Sequence, residues 1–275
     1  MDHTSTLLVQ FGAHAGTFHS GGHCGIANFD EGVPYGHIHL LRAGRMRLVL
    51  KNGTEIEIAE PALIFFPGPY HHRLLASQED KAELVCASIH FDGGFGNPLA
   101  TALPEYMVLL LADLPSLSNT LNWLFQEAFS DEYGKVAATD RLFELLIIQL
   151  LRHILKTDKL GKGILAGLAD PRIARVLDLM HARPQHPFSV EELAGVANMS
   201  RAGFAAHFKA VIGNTPADYL AGWRISLVQR RLRDGHPISI IAGQVGYESP
   251  SALARAFRRK TGVSPREWLA RQDAT

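Results

Sequence analysis

The stretch 238–265, ISIIAGQVGYESPSALARAFRRKTGVSP, decides how this chain is read. Ile238, Ile241, Ala242 and Val245 recur at i, i+3, i+4 and i+7, which is one apolar face of a short helix. Gly246-Tyr247-Glu248-Ser249 breaks the run, with Ser249 placed as an N-cap and Pro250 at the first position of a second helix. That helix buries Leu253 and Phe257, turns Arg255, Arg258, Arg259 and Lys260 outward, and ends where Gly262 takes a left-handed conformation. A short helix, a sharp turn and a cationic second helix form a helix-turn-helix, the layout that seats its second helix in a DNA major groove.

The same pattern stands upstream. Val190, Leu193, Ala194, Gly195 and Ala197 match Ile238, Ile241, Ala242, Gly243 and Val245 at an offset of 48. Beyond the turn the offset becomes 49, so that Phe204, Phe208, Gly213 and Pro216 match Leu253, Phe257, Gly262 and Pro265. The second turn is therefore one residue longer. Such self-similarity marks a repeated supersecondary unit. Ser189-Val190-Glu191-Glu192 reads as a capping box, and Ser200 caps the upstream second helix.

With both copies and the helix Pro216–Asp234 between them, residues from about 170 to 271 resemble the DNA-binding domain of the AraC/XylS family of transcription regulators. The resemblance implies a sequence-specific DNA-binding regulator, usually an activator, with double-stranded DNA and RNA polymerase as partners. It places Arg201, Ala202, Ala205, Ala206 and Lys209 of the first recognition helix at the groove. In the second it places Ser251, Ala252 and Arg255 at base edges, and Arg258, Arg259 and Lys260 on phosphates. Alanines contact thymine methyls but donate no hydrogen bond, whereas Arg255 is able to bind guanine in bidentate fashion, the other reading being a phosphate contact alone.

Charge agrees with this division. Residues 168–275 hold 15 Lys+Arg against 9 Asp+Glu, and residues 1–167 hold 12 against 18, although the chain is neutral as a whole. A basic half beside an acidic half suits nucleic-acid binding by one of them. Two cysteines in 275 residues do not suggest a secreted disulfide scaffold. No run of about 18 apolar residues and no signal segment is present, so a cytoplasmic protein without a membrane span is expected.

The first hundred residues read as short strands between Gly/Pro turns. Residues 44–50 and 54–59 alternate on either side of an Asn52-Gly53 hairpin turn, Ala62–Phe66 is a buried run, and Leu84–Phe91 puts Leu84, Cys86, Ser88 and His90 on one face. HIHLLRAGRMRLVL and PALIFFPGPYHH resemble the cupin barrel that serves as sensor in many such regulators. The fold expected is α+β: a cupin-like β-barrel with a helical hairpin, then an all-α domain with two helix-turn-helix motifs. The boundaries read 1–160 for the sensor, 161–169 for a flexible linker around Gly161, Gly163 and Gly167, and 170–275 for the DNA-binding domain. In the hairpin, Leu117, Leu121, Leu124, Phe125 and Ala128 form one stripe, and Leu142, Leu145, Leu146, Gln149 and Leu150 the other. The stripes serve either a homodimer interface or as cover for the barrel.

No cofactor is required. The cupin resemblance leaves open a divalent metal on His37, His39 and His71 or His72, with His90 a spare; Leu41, Arg42 or Ala43 stands where the usual glutamate would be, and Pro69 where a glycine would. Cys24 and Cys86 resemble cysteines of oxidant-responsive members, which implies redox sensing; the other reading is two small core residues. The effector is then an oxidant or a small molecule. The alternative function is a dioxygenase-like cupin metalloenzyme tethered to DNA, which the missing glutamate disfavours, so no enzyme is expected.

Overall fold

The computed structural model describes residues 12–92, 97–156 and 162–273, and these cluster into two compact units. One comprises residues 12–92 and 103–156, the other residues 97–102 and 162–273. Among the described residues no helix is long and apolar enough to cross a membrane.

The first unit is a pair of antiparallel sheets. Its strands are β1 (Ala13–His23), β2 (Gly25–Phe29), β3 (Gly36–Ala43), β4 (Met46–Leu50), β5 (Glu55–Ile58), β6 (Ala62–Phe66), β7 (His72–Ala76), β8 (Ala82–Phe91) and β9 (Met107–Leu110). They pair in the orders β1-β8-β3-β6-β9 and β2-β7-β4-β5. The expected barrel is thus two sheets among the described residues, with no pairing that closes one on the other. The crossing comes at Cys24, where β1 of one sheet hands the chain to β2 of the other. Leu41, Ile64 and Leu84 from one sheet and Leu48, Ile58 and Leu74 from the other form a common core. The Asn52-Gly53 turn is made as read, with Gly53 N donating to the Leu50 carbonyl at 2.9 Å.

A helical hairpin follows, α2 (Ser118–Ala128) and α3 (Lys135–Lys156); the short helix Pro98–Ala102 before it, α1, belongs to the second unit. α2 buries Leu121, Leu124 and Ala128 as expected. α3 buries Phe143, Leu146, Ile147, Leu150 and Leu151, so its inner face is turned from the expected stripe and Leu145 is exposed. The cause lies at β1. Asp140 accepts hydrogen bonds from Thr17 N (2.7 Å) and Thr17 Oγ1 (2.6 Å), which sets the phase of a helix whose middle, Leu142 to Leu151, is apolar at all positions but Glu144 and Gln149.

The second unit is helical: α4 (Ile164–Ala169), α5 (Pro171–Ala182), α6 (Val190–Val196), α7 (Arg201–Ile212), α8 (Pro216–Arg233), α9 (Ile238–Gln244), α10 (Pro250–Thr261) and α11 (Pro265–Asp273). Its core holds Ile173, Val176, Leu177, Phe204, Phe208, Trp223, Val228, Leu253 and Phe257. Gly161 of the expected linker lies outside the described residues. The rest of that segment is not loose. Ile164 and Leu165 are buried, and a Cβ on Gly167 would sit 2.5 Å from Ile212 Cδ1 and 2.8 Å from Leu177 Cδ1. Gly167 is there for close packing rather than for flexibility.

Candidate nucleic-acid interface and sensor interior

The two helix pairs α6–α7 and α9–α10 share one backbone. Met199 N donates to the Ala194 carbonyl and Tyr247 N to the Ala242 carbonyl, each at 2.9 Å and 48 residues apart. Asn198 and Gly246, also 48 apart, are both left-handed, with φ of 54° and 83°. Ser200 Oγ then accepts from Gly203 N (3.2 Å) and Ser249 Oγ from Ala252 N (3.1 Å), now at the offset of 49. The extra residue is therefore Glu248, between the left-handed turn and the cap. α10 ends at Gly262 with φ 81°, as read from the sequence. Ser189 caps α6 by accepting from Glu192 N, while the Glu192 carboxylate turns to His186 at 3.2 Å.

On α7, Arg201, Ala202, Ala206 and Lys209 are exposed and Ala205 is half-buried. Arg201 Nε lies 2.9 Å from Glu191 on α6, an exposed pair that yields readily to another anion. On α10, Ser251, Arg255, Arg258, Arg259 and Lys260 are exposed and Ala252 is half-buried. Among the described residues none of these four cations is held in an ion pair. Both sets of sequence-expected residues thus fall on the second helices of the pairs, beside the buried Phe204/Phe208 and Leu253/Phe257 faces.

Arg224 of α8 ties the pairs together, a role that the sequence reading missed. Its Nε donates to the Pro184 carbonyl (2.6 Å) and its Nη2 to the His186 carbonyl (3.0 Å), and its guanidinium stands 5.8 Å from the Tyr247 ring centre.

In the first unit the strands gather histidines into the space between the sheets. His37, His39 and His72 come together, with ring centres 5.1–5.9 Å apart. His72 Nδ1 lies 2.8 Å from the Tyr70 carbonyl oxygen, which only accepts, so this nitrogen carries the proton and Nε2 is bare. His39 Nε2, 2.9 Å away, therefore donates to His72, and His39 Nδ1 is left a bare acceptor, buried and without a partner among the described residues. Among the described residues three more buried ring nitrogens lack partners: His19 Nε2, His23 Nε2 and His37 Nδ1. His19 and His23 were not foreseen, although their spacing on a strand puts both on one face.

Burial decides the protonation here. It lowers His37 to about 4, with the His90 charge adding to the effect. It lowers His72 to about 3 against the opposing bond to Tyr70, and holds His39 well below the usual range. The trio is thus neutral at pH 7. As the rings stand, His39 and His72 aim their Nε2 atoms at each other, and among the described residues no three His, Cys, Asp or Glu side chains form a group placed to hold a metal ion. His71 pairs with exposed Asp30 and His90 with Ser88, both away from this contact. Arg42 points outward onto Glu83 (3.4 Å) and the Phe129 ring (4.6 Å), so no cation intrudes.

Cys86 stands between His19 of β1 and His39 of β3 in the strand register. It is buried, and burial pushes its thiol up, whereas Cys24 is exposed. His23, next to Cys24, pairs with Ala82, four residues from Cys86 and so ~13 Å along the strand. A disulfide requires Cα atoms within about 7 Å. The two cysteines are not poised to join.

Comparison with known families agrees with both units. A cupin family matches residues 2–156 and a helix-turn-helix domain matches residues 193–271. An AraC-like transcription regulator of Streptomyces antibioticus is 41% identical over 191 residues, 64% of this chain and 61% of that protein. The chain belongs to the AraC-type transcription regulators. Within this family it is similar over most of its length to the HTH-type transcriptional regulator AlkR of Acinetobacter baylyi, 30% identical over 85% of this chain and 79% of that one. It is also similar to the RCS-specific HTH-type transcriptional activator RclR of Escherichia coli, 29% identical over 85% of this chain and 84% of the relative. The chain's match spans less than two thirds of the Streptomyces protein's length.

Proposed function

We propose that this AraC-type chain is a transcription regulator that binds double-stranded DNA through two helix-turn-helix motifs, with α7 and α10 in successive major grooves. The carrying observation is the repeated turn geometry that leads into α10, a helix capped by Ser249 whose four exposed cations, Arg255 in its first half and Arg258, Arg259 and Lys260 in its last turn, are held in no ion pair among the described residues. Arg255 reads a base edge, and Arg258, Arg259, Lys260 and Lys209 hold phosphates. The relatives named as regulators support a regulator rather than an enzyme, and the name of RclR favours activation; the partner this reading implies for an activator is RNA polymerase.

The sensor of this reading is the histidine-lined space between the sheets. Four buried ring nitrogens without partners are costly as they stand, and a small effector carrying hydrogen-bond donors would satisfy them. Oxidation is the second reading, favoured by the exposure of Cys24. Trp123, 63% exposed, and Leu145 leave apolar surface on the α2–α3 hairpin for a homodimer. Such a regulator acts in the cytoplasm.

The test is binding of the purified protein to DNA from upstream of its own coding sequence, and to a scrambled duplex of equal length, across a salt series. Tight binding to the first and weak, steeply salt-dependent binding to the second is expected. Equal affinity for both removes sequence-specific recognition.

A further inference from the structure

The helical unit holds a cavity of about 470 Å³, bounded by the start of α4, the end of α7, one side of α8 and the end of α10. That volume lies within the range of small-molecule sites. Three observations show that it is more than a packing gap. Gln229 of α8 lines it, is only 6% exposed, and its Oε1 is buried with no hydrogen-bond partner among the described residues. Gly222, two turns earlier on the same helix, also lines it, and a Cβ there would meet nothing within 4 Å among the described residues. A glycine inside a helix costs stability relative to alanine, and here it keeps the wall of the cavity open. Lys162 and Lys260 line the cavity as well, and Tyr219, Trp223 and Ile225 supply an apolar and aromatic surface.

We propose that this cavity is a second effector site, distinct from the sensor interior, for a small aromatic carboxylate that also carries an N–H or O–H donor. The apolar wall takes the ring, the lysines take the carboxylate, and the donor meets Gln229 Oε1. The carboxylate of Asp218 also faces the cavity, but it accepts from Thr215 Oγ1 at 2.9 Å, so it is already engaged at the α8 N-cap. The wall is asymmetric toward anions, with two ammonium groups and one occupied carboxylate. The consequence for DNA rests on the function proposed above. Lys260 belongs to the phosphate-binding row of α10, and a ligand that holds it in the cavity withdraws it from DNA.

The probe is indole-3-acetate, whose ring, N–H and carboxylate match the three demands. Two relatives each lack one: 1-methylindole-3-acetate has no donor, and tryptamine replaces the anion with a cation. Calorimetric titration of the full chain should show indole-3-acetate binding about tenfold or more tightly than either. Gly222→Leu, which fills the open wall, should abolish this binding while its thermal unfolding midpoint stays at or above that of wild type. Gln229→Met should remove the preference for the free N–H. Neither residue is assigned a DNA contact, so both variants should bind DNA as wild type does without probe. Binding that is unchanged in Gly222→Leu, or no heat from any of the three compounds, overturns the site. DNA binding in the untreated samples separates the two failures: intact DNA binding without a probe response refutes the cavity site alone, and absent DNA binding refutes the regulator reading.

Discussion

His39 and His72 meet across the two sheets of the cupin unit, Nε2 to Nε2 at 2.9 Å, one in the five-stranded sheet and one in the four-stranded sheet. The bond needs one of the facing nitrogens to be bare, so it is lost once both rings are protonated. The folded values of His37, His39 and His72 lie below the ordinary value near 6.5, at about 4, well below, and about 3. Their unfolded forms therefore take up protons first as pH falls. The stability they allow is complete above about pH 6.5 and is lost progressively toward pH 4 and below. Each histidine adds about 1.4 kcal/mol per pH unit inside its window. Denaturant unfolding followed between pH 7.5 and 4.5 should show this loss, and His37→Asn should make the slope shallower by about one proton. A flat profile across that range would show that the cluster is hydrated and not buried.

Gly246 lies against Arg224 and against the chain that Arg224 holds. A Cβ at this position would stand 2.6 Å from the Gln185 carbonyl oxygen and 2.9 Å from Arg224 Nη2, and φ is 83°. Both strain and collision oppose a side chain. Gly246→Ala should cost about 2–4 kcal/mol, combining a left-handed alanine with overpacking of the clamp. Asn198, its counterpart 48 residues earlier, tolerates the same conformation, so Asn198→Gly should shift stability by less than about 1 kcal/mol. Urea unfolding of the two variants beside wild type checks the contrast, and similar losses in both would refute it.

Cys24 and Cys86 should differ sharply toward an alkylating reagent. Cys24 is exposed at the β1–β2 turn, and Cys86 is buried with its thiol held in the protonated form. Iodoacetamide at pH 8 should label Cys24 within minutes and Cys86 only when urea is added, as read by peptide mass spectrometry. A mild oxidant should give adducts or intermolecular bridges at Cys24 before any Cys24–Cys86 bond. Rapid formation of the intrachain bond in native protein would show that β1 separates from β8 far more readily than their pairing implies.

The helical unit was legible because its signals are local. Ser200, Ser249, Gly262 and the left-handed pair Asn198/Gly246 each act on the few residues around them, and the repeat at 48 and 49 checks one copy against the other. The cupin unit was less so. β1 contains Gly16, Gly21 and Gly22 and is held by β8, about seventy residues away, so no short window announces it. Gly167 read as flexibility because sequence does not show Ile212 and Leu177 closing around it. The α3 stripe was misphased for a similar reason: between Leu142 and Leu151 nearly every position is apolar, and the contact of Asp140 with Thr17 decides which of them turn inward. The fold does bring His37, His39 and His72 together, but their tautomers, and so the pairing of His39 with His72, depend on a carbonyl at Tyr70 that only the fold brings into reach.

Arg255 and Lys260 should separate base reading from phosphate binding on one helix. Both are exposed on α10 and neither is held in an ion pair among the described residues, so each is available to DNA at little cost. Arg255 lies in the first half of the helix, on the side of the Ser249 cap, where a recognition helix meets base edges; Lys260 lies in the last turn. Arg255→Ala should weaken binding to the preferred site by about 1–3 kcal/mol and relax the choice of one base, with a smaller effect on scrambled DNA. Lys260→Ala should weaken binding to every duplex alike and lower the slope of log K against log salt by about one. Affinities of both variants on specific and scrambled duplexes over a salt series supply all four quantities. Equal losses from Arg255→Ala on the two duplexes would move Arg255 to the phosphates, and an unchanged salt slope for Lys260→Ala would remove Lys260 from them.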